Sequence, residues 1–307
     1  MRDAFARELY EIMAKDPDVL LLMGDIGYKV FDQIAENRPK QLFNMGVAEA
    51  NMIGTCAGLA LSGKKPFAYT IIPFLTMRAF EQIRVDIAIQ KQPVKIVGVG
   101  GGLAYGNQGP THHSLEDVAI LRAVPNMTVI VPCDPIESKK ATRAAYEYDG
   151  PVYIRLGRNG EPKLHPENYQ FKIGKAVEMR PGKDATIVSS GPITKIALDA
   201  AEALAKKGIQ ARVLNIHTIK PFDTEAVVKA ARETRVMVSV EEHNIIGGLG
   251  SAVSEALAES RAGIPFKRFG IRDNICYGVG SQDYHLRRNG VSIESISQTV
   301  AQLLDSR

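Results

Sequence analysis

The feature that most constrains this chain is an alternation of short apolar runs with helical patterns, broken once and then resumed. "DVLLLMG" (18–24), "FAYTII" (67–72), "VKIVGVG" (94–100), "MTVIVP" (127–132) and "PVYIRL" (151–156) have strand length and few polar interruptions. Runs of this kind read as strands covered on both faces. Between them, residues 47–62, 75–90, 114–124 and 135–148 carry helical spacing. Strands that alternate with helices predict a parallel sheet with helices on either side. The stretch 157–183, "GRNGEPKLHPENYQFKIGKAVEMRPGK", is polar and rich in Pro and Gly, and reads as a linker with a short strand in its middle. The alternation then restarts with "DATIVSSG" (184–191), "ARVLNI" (211–216), "RVMVSVEE" (235–242) and "FKRFGIR" (266–272), interleaved with helices at 193–208, 224–233, 251–260 and 293–305. The expected fold class is α/β, with two domains, each a mostly parallel sheet flanked by helices. The expected limits are 1–160 for the first domain, 161–182 for the linker and 183–307 for the second domain.

Composition removes several function classes. Net charge is only +4 over 307 residues, and cations alternate with acids, so no basic tract is present to track a nucleic acid. No apolar run nears the roughly 18–20 residues that span a bilayer. Cys56, Cys133 and Cys276 are odd in number and lack ligand spacing, which argues against a disulfide scaffold or zinc site. The first residues read as a charged amphipathic helix, not a secretory signal. A cytoplasmic protein with no nucleic-acid or membrane partner, and no metal held by this chain, is the expectation.

Parallel sheets place ligands beyond the carboxyl ends of their strands. That rule selects the loops "GDIGYKVFD" (24–32), "NMG" (44–46), "GVGGGLAYGNQGPTHH" (98–113) and "LGRNG" (156–160). Beside the second lies Glu49, the single charged residue between Val47 and Ser62, with Met52, Ile53 and Cys56 on its helix face. A buried carboxylate costs several kcal/mol unless paired, and enzymes exploit such groups. A first-turn acid complementing the helix dipole is the plainer alternative. His112 and His113 stand on a glycine-rich approach to a helix that Ser114 or Thr111 is placed to cap, and they read as site residues more readily than as a metal pair. Phe74, Met77 and Phe80 read from periodicity as core. Lys29, Arg155 and Arg158 are cations at the same predicted sheet edge, where three together would make an anion pocket. "GGLGS" (247–251) before a helix has the form of a phosphate cradle, or of close packing alone.

Taken together, "FNMGVAEANMIGTCAGLALSGKKPF", "GPTHHSLEDVAILRAVPNMTVIVPCDP", "GPVYIRLGR", "NIHTIKPFD" and "EEHNIIGGLGSAVSEAL" resemble the carboxyl-terminal two-thirds of transketolase. The resemblance implies a pyrimidine-binding domain followed by a transketolase carboxyl-terminal domain. It also implies dependence on thiamine diphosphate and Mg²⁺. Glu49 then matches the acid that contacts N1′ of the aminopyrimidine and serves catalysis. Phe74 and Phe80 match the aromatic positions that wall that ring. His112 matches the histidine that contacts donor oxygens, and Arg158 the arginine that holds a terminal phosphate.

The family's diphosphate and metal are held by a "GDG" motif in the amino-terminal domain, and this chain has "GDI" at 24–26 and no GDG. The resemblance therefore implies the second subunit of a split transketolase, completed by an amino-terminal subunit carrying GDG, in an α2β2 assembly. The substrate end departs from the family. Gln108 replaces an Asp, His113 replaces a Gln, Gly100 stands where many members have a His, and Lys29 where Ser is usual. A sugar with an altered anionic end, such as a sulfo-sugar, is the expected donor, with Lys29, Gln108, His112, His113 and Arg158 lining its site. The alternatives are a deoxyxylulose-phosphate-synthase-like half, the β subunit of a 2-oxoacid dehydrogenase, and a non-catalytic flavodoxin-like binding module.

Overall fold

The first strand shows why the apolar runs are continuous. In β1 (Val19–Met23), Leu20 and Leu22 face one core while Val19 and Leu21 face another. Successive side chains point to opposite faces, so a strand covered on both sides is apolar at most of its positions. The same division holds in β3 (Lys65–Ile71), where Phe67 and Tyr69 enter one core and Ala68 the other. The computed structural model describes residues 1–158 and 160–306; residue 159 of the expected 156–160 loop and residue 307 lie outside the described residues.

The remaining strands are β2 (Leu42–Asn44), β4 (Lys95–Val99), β5 (Thr128–Ile130), β6 (Val152–Leu156), β7 (Val177–Arg180), β8 (Ala185–Ser189), β9 (Ala211–Asn215), β10 (Thr218–Lys220), β11 (Val236–Asn244) and β12 (Phe266–Ile271). Two sheets result, in the orders β10-β5-β6-β4-β3-β1-β2 and β12-β11-β8-β9-β7. All neighbours are parallel except the edge pairs β10–β5 and β7–β9. The fold class is thus the expected one, two mostly parallel sheets flanked by helices.

Two features went unforeseen. The short strand expected in the linker, β7, is an edge of the second sheet, paired with β9. And β10, which follows β9 directly, leaves the second sheet and joins the first, with Thr218 opposite Ile130 and Val131 N–H donating to the His217 carbonyl at 2.7 Å. One buried core runs through both halves as a consequence. It contains Val129 and Val131 together with Leu214, Ile216, Val227 and Leu249.

The helices hold smaller corrections. Residues expected as a helix from 75 to 90 form π-helical turns at Phe74–Arg78 and Ile83–Ile89 around a short α turn, Phe80–Gln82. π turns insert an extra residue and re-aim side chains, often at functional sites. Met77, expected in the core, is exposed on the first of these turns. The helix expected from 114 begins only at Asp117, without a side-chain cap; Ser114 Oγ instead donates to the Gly100 carbonyl at 3.1 Å. Cys56, Cys133 and Cys276 are buried and unpaired. Among the described residues no helix is long and apolar enough to cross a membrane.

Candidate active site

Strands β6, β4, β3 and β1 are consecutive neighbours and parallel, so the segments leaving their carboxyl ends gather on one edge. From β3 comes the π-helical turn with Phe74 and Arg78; from β4 the loop with Tyr105 and His112; from β6, Arg158. The loop after β4 is held firmly. Gly100 and Gly101 N–H both donate to the Leu156 carbonyl at 3.0 Å, and Gly102 and Ser114 bond each other across its neck.

Glu49, the first residue of the helix Glu49–Leu61, is 1% exposed. Its Oε2 accepts from Arg78 Nη1, while Oε1 is buried and has no hydrogen-bond partner. The Arg78 guanidinium lies 5.0 Å from the centroid of Phe74. Phe74 meets the His112 ring edge-on at 5.2 Å, and His112 meets Tyr105 at 6.0 Å. Arg158 lies over the other aromatic neighbour, 4.6 Å from the Tyr105 centroid. The result is a continuous string, Glu49–Arg78–Phe74–His112–Tyr105–Arg158. It joins four residues expected from sequence through two that were not. Arg78 was missed because a cation inside a helical pattern normally marks a solvated face. Tyr105 was missed as a lone aromatic in a glycine-rich loop, although a large ring among glycines is itself a signal.

Other expected residues lie elsewhere. Phe80 is half-buried and packs on the core beneath the helix face. Gln108 is exposed on the short turn just before His112. Lys29 is exposed, with a left-handed backbone (φ 63°), and lines a separate cleft of about 330 Å³ with Arg7, Tyr10 and Asp32. His113 turns inward, 4% exposed, with its ring 5.4 Å from that of His285 in the second half of the chain. Burial holds its imidazole below the ordinary value, and His285 pushes the same way.

One sequence reading needs correcting, and one open alternative is decided. Arg155 is not a loop cation. It lies within β6, buried, donating to Asp117 Oδ2 at 2.8 Å and to the Ser114 and Glu242 carbonyls at 2.7 and 3.0 Å. Its charge is already paired with Asp117 and its side chain is buried, so it is not an open loop cation. The "GGLGS" segment is not an open cradle either. Glu241 fills the helix N-terminus, accepting from Leu249 N–H at 2.7 Å and Gly250 N–H at 2.8 Å. A Cβ at Gly248 would lie 2.1 Å from that carboxylate, so the glycines serve close packing.

A cavity of about 290 Å³ opens beside Arg158, lined also by Gly101, Ala104, Glu161, Glu242 and Gln282. Its carboxylates are occupied. Glu161 binds the Met1 amino group at 2.9 Å, Glu242 accepts from Leu103 N–H at 2.6 Å and from Gln282 at 2.8 Å, and Asp283 pairs with Arg287 at 2.8 Å. Among the described residues Arg158 has no ion-pair partner and is the cation of this cavity.

A buried carboxylate, an aromatic wall, an imidazole and a guanidinium with no ion-pair partner among the described residues thus gather at one sheet edge. Two family models fit the chain: the transketolase pyrimidine-binding domain over residues 1–162 and the transketolase C-terminal domain over residues 174–296. The chain belongs to the transketolase family, as a transketolase-type transferase subunit. It is 39% identical over 309 residues to the 6-deoxy-6-sulfo-D-fructose transketolase subunit SqwH of Clostridium sp. (strain MSTE9), covering 100% of this chain and 95% of that one. It is 40% identical over 296 residues to a subunit of the apulose-4-phosphate transketolase of Phocaeicola vulgatus, covering 94% of each. Among solved structures, a split-gene transketolase described as an inactive beta4 tetramer superposes with a TM-score of 0.91 at 38% identity, covering 99% of this chain and 98% of that one.

Proposed function

We propose that this chain supplies the pyrimidine side of a thiamine-diphosphate site and, with an amino-terminal subunit, moves a two-carbon ketol unit from an anionic ketose to an aldose. The observation that carries this reading is Glu49 Oε1, a buried oxygen with no partner, on a carboxylate whose other oxygen pairs with Arg78, the guanidinium that lies over the Phe74 ring. An orphaned buried carboxyl oxygen calls for a polar ligand atom, and ring nitrogen N1′ of the aminopyrimidine, which would share a proton with the carboxyl, fits that need. Thiamine diphosphate, when bound, supplies the carbanion-stabilising chemistry that ketol transfer requires. Glu49 holds the pyrimidine and its proton, and Phe74 covers the ring face. His112 reaches the oxygens of the donor sugar, with Gln108 at the exposed rim of the same loop. Arg158 receives the sugar's anionic end. Lys29 and His113 are left out, the first for its separate cleft and the second for its burial.

The diphosphate and Mg²⁺ are assigned to the partner, because this chain lacks the GDG motif. Its relatives are named as subunits, which supports a two-chain enzyme, for which α2β2 is the proposed assembly. Their named sugars carry a sulfonate or a phosphate, in keeping with an anionic donor. Calorimetry with thiamine diphosphate and Mg²⁺ tests the reading. Binding is expected for this chain co-expressed with a GDG-bearing subunit, and little or none for this chain alone. Tight binding by the lone chain would overturn the shared site.

A further inference from the structure

Position 100 is a glycine with a left-handed backbone (φ 87°), and a Cβ built there would lie 2.1 Å from the Tyr105 ring. The glycine thus has two physical reasons: a conformation that side chains resist and space already taken by an aromatic ring. Tyr105 is 8% exposed, so the ring is a fixed part of the wall. Two of its neighbours are functional candidates, His112 with ring centroids 6.0 Å apart and the Arg158 guanidinium at 4.6 Å. Burial raises its phenol above the ordinary value, against the opposing pull of Arg158, so the ring stays neutral.

Arg158 leaves β6 two residues after Leu156, and nothing else described holds its head in place. On one side it faces the cavity of about 290 Å³ whose carboxylates are all engaged. On the other it borders a broad cleft of about 930 Å³, where Arg2, Arg7 and Lys139 alternate with Asp3, Glu8 and Glu11. A long side chain free to choose between these would lose orientation entropy on every binding event. A guanidinium seated on an aromatic face is pre-oriented.

Resting on the reading of Arg158 as the anion-binding group, we propose that Tyr105 is a specificity-determining residue. Its ring stands in the space that Gly100 leaves open and aims Arg158 at the tetrahedral oxyanion of a ketose ending in phosphate or sulfonate. Tyr105 is a positioning residue and touches no reacting atom. Its contribution is to the binding of the charged end.

The test uses the reconstituted two-subunit enzyme with three donors: fructose 6-phosphate, its 6-sulfonate counterpart, and erythrulose, which is short and uncharged. Tyr105→Leu is expected to raise KM about tenfold for whichever charged donor the wild type prefers, the size of a lost cation–π seat. Its kcat should stay within about threefold, and its kcat/KM for erythrulose likewise. Tyr105→Phe keeps the ring and should keep wild-type discrimination. Gly100→Ala, which drives a methyl group into the ring, should reproduce Tyr105→Leu. Calorimetric titration of the cofactor-free pair with the charged donor should show the same weakening. Equal losses on charged and uncharged donors would mean that the ring only supports the loop, and unchanged KM in Tyr105→Leu would mean that Arg158 needs no seat. Either result overturns the proposal. A wild-type pair that binds thiamine diphosphate yet turns over none of the donors sinks the transferase reading itself, and this inference with it.

Discussion

Glu49 and Arg78 form a pair in which one member is almost wholly buried and the other is 44% exposed. Removing the partner of a buried charge costs more than the pair contributes, because the remaining ion stays desolvated. Arg78→Met is therefore expected to destabilise the chain by about 2–3 kcal/mol, less than for a fully buried pair because Arg78 is partly solvated. Glu49→Gln combined with Arg78→Met should recover most of that loss, since no unpaired charge remains. Thermal unfolding of the four proteins gives the cycle, and additive losses would show that the two side chains are not coupled. Glu49→Gln alone should fold and lose about 100-fold or more of turnover in the reconstituted pair. Glu49 was legible in the sequence because one acid stood on an otherwise uncharged helix. Arg78 was not, because the contact depends on a π-helical turn that re-aims it, and periodicity assumes an ordinary helix.

At the scale of elements, β11 presents two buried titratable groups to the helix Leu249–Glu259. Burial pushes the Glu241 carboxyl up to about 7, against the backbone N–H groups of Gly250 and Leu249 that favour its charged form. Burial pushes the His243 imidazole down to about 4. The two act on stability in opposite senses. Glu241 contributes stability that is present below its ordinary value, about 4.5, and is lost as pH rises through about 7. His243 contributes stability that is present above its ordinary value, about 6.5, and is lost as pH falls through about 4. Between these limits their slopes oppose. Relative to wild type, Glu241→Gln should make stability rise more steeply from pH 5 to 6.5, and His243→Asn should make it fall. Urea unfolding at the two pH values reads both, and parallel shifts in the two variants would refute the assignment. The strand and helix here were plain from the sequence. The carboxylate in the helix mouth was not, since nothing in "VSVEEHN" says which of two adjacent acids turns inward to the glycines.

For the whole molecule, the Arg155 network is the buried ionic joint between halves that share β10 and a core, tying β6 and Asp117 to the Glu242 carbonyl of β11. Arg155→Met strands a buried Asp117 and should cost about 3–5 kcal/mol. Hydrogen exchange should then accelerate in β4 and β11 together. Acceleration confined to β4 would show two halves that open independently. The two parallel sheets were readable because covered strands are continuous apolar runs. β2 and β10 were not, being three residues each and stabilised by their neighbours' edges more than by their own pattern. β10 also sets an order of events during synthesis. β5 emerges from the ribosome early, but its outer edge is paired only by a strand encoded beyond β9. Until then the first sheet carries an open edge, the kind of surface that chaperones cover and that neighbouring nascent chains on a polysome capture. The first domain cannot finish folding before much of the second has been made.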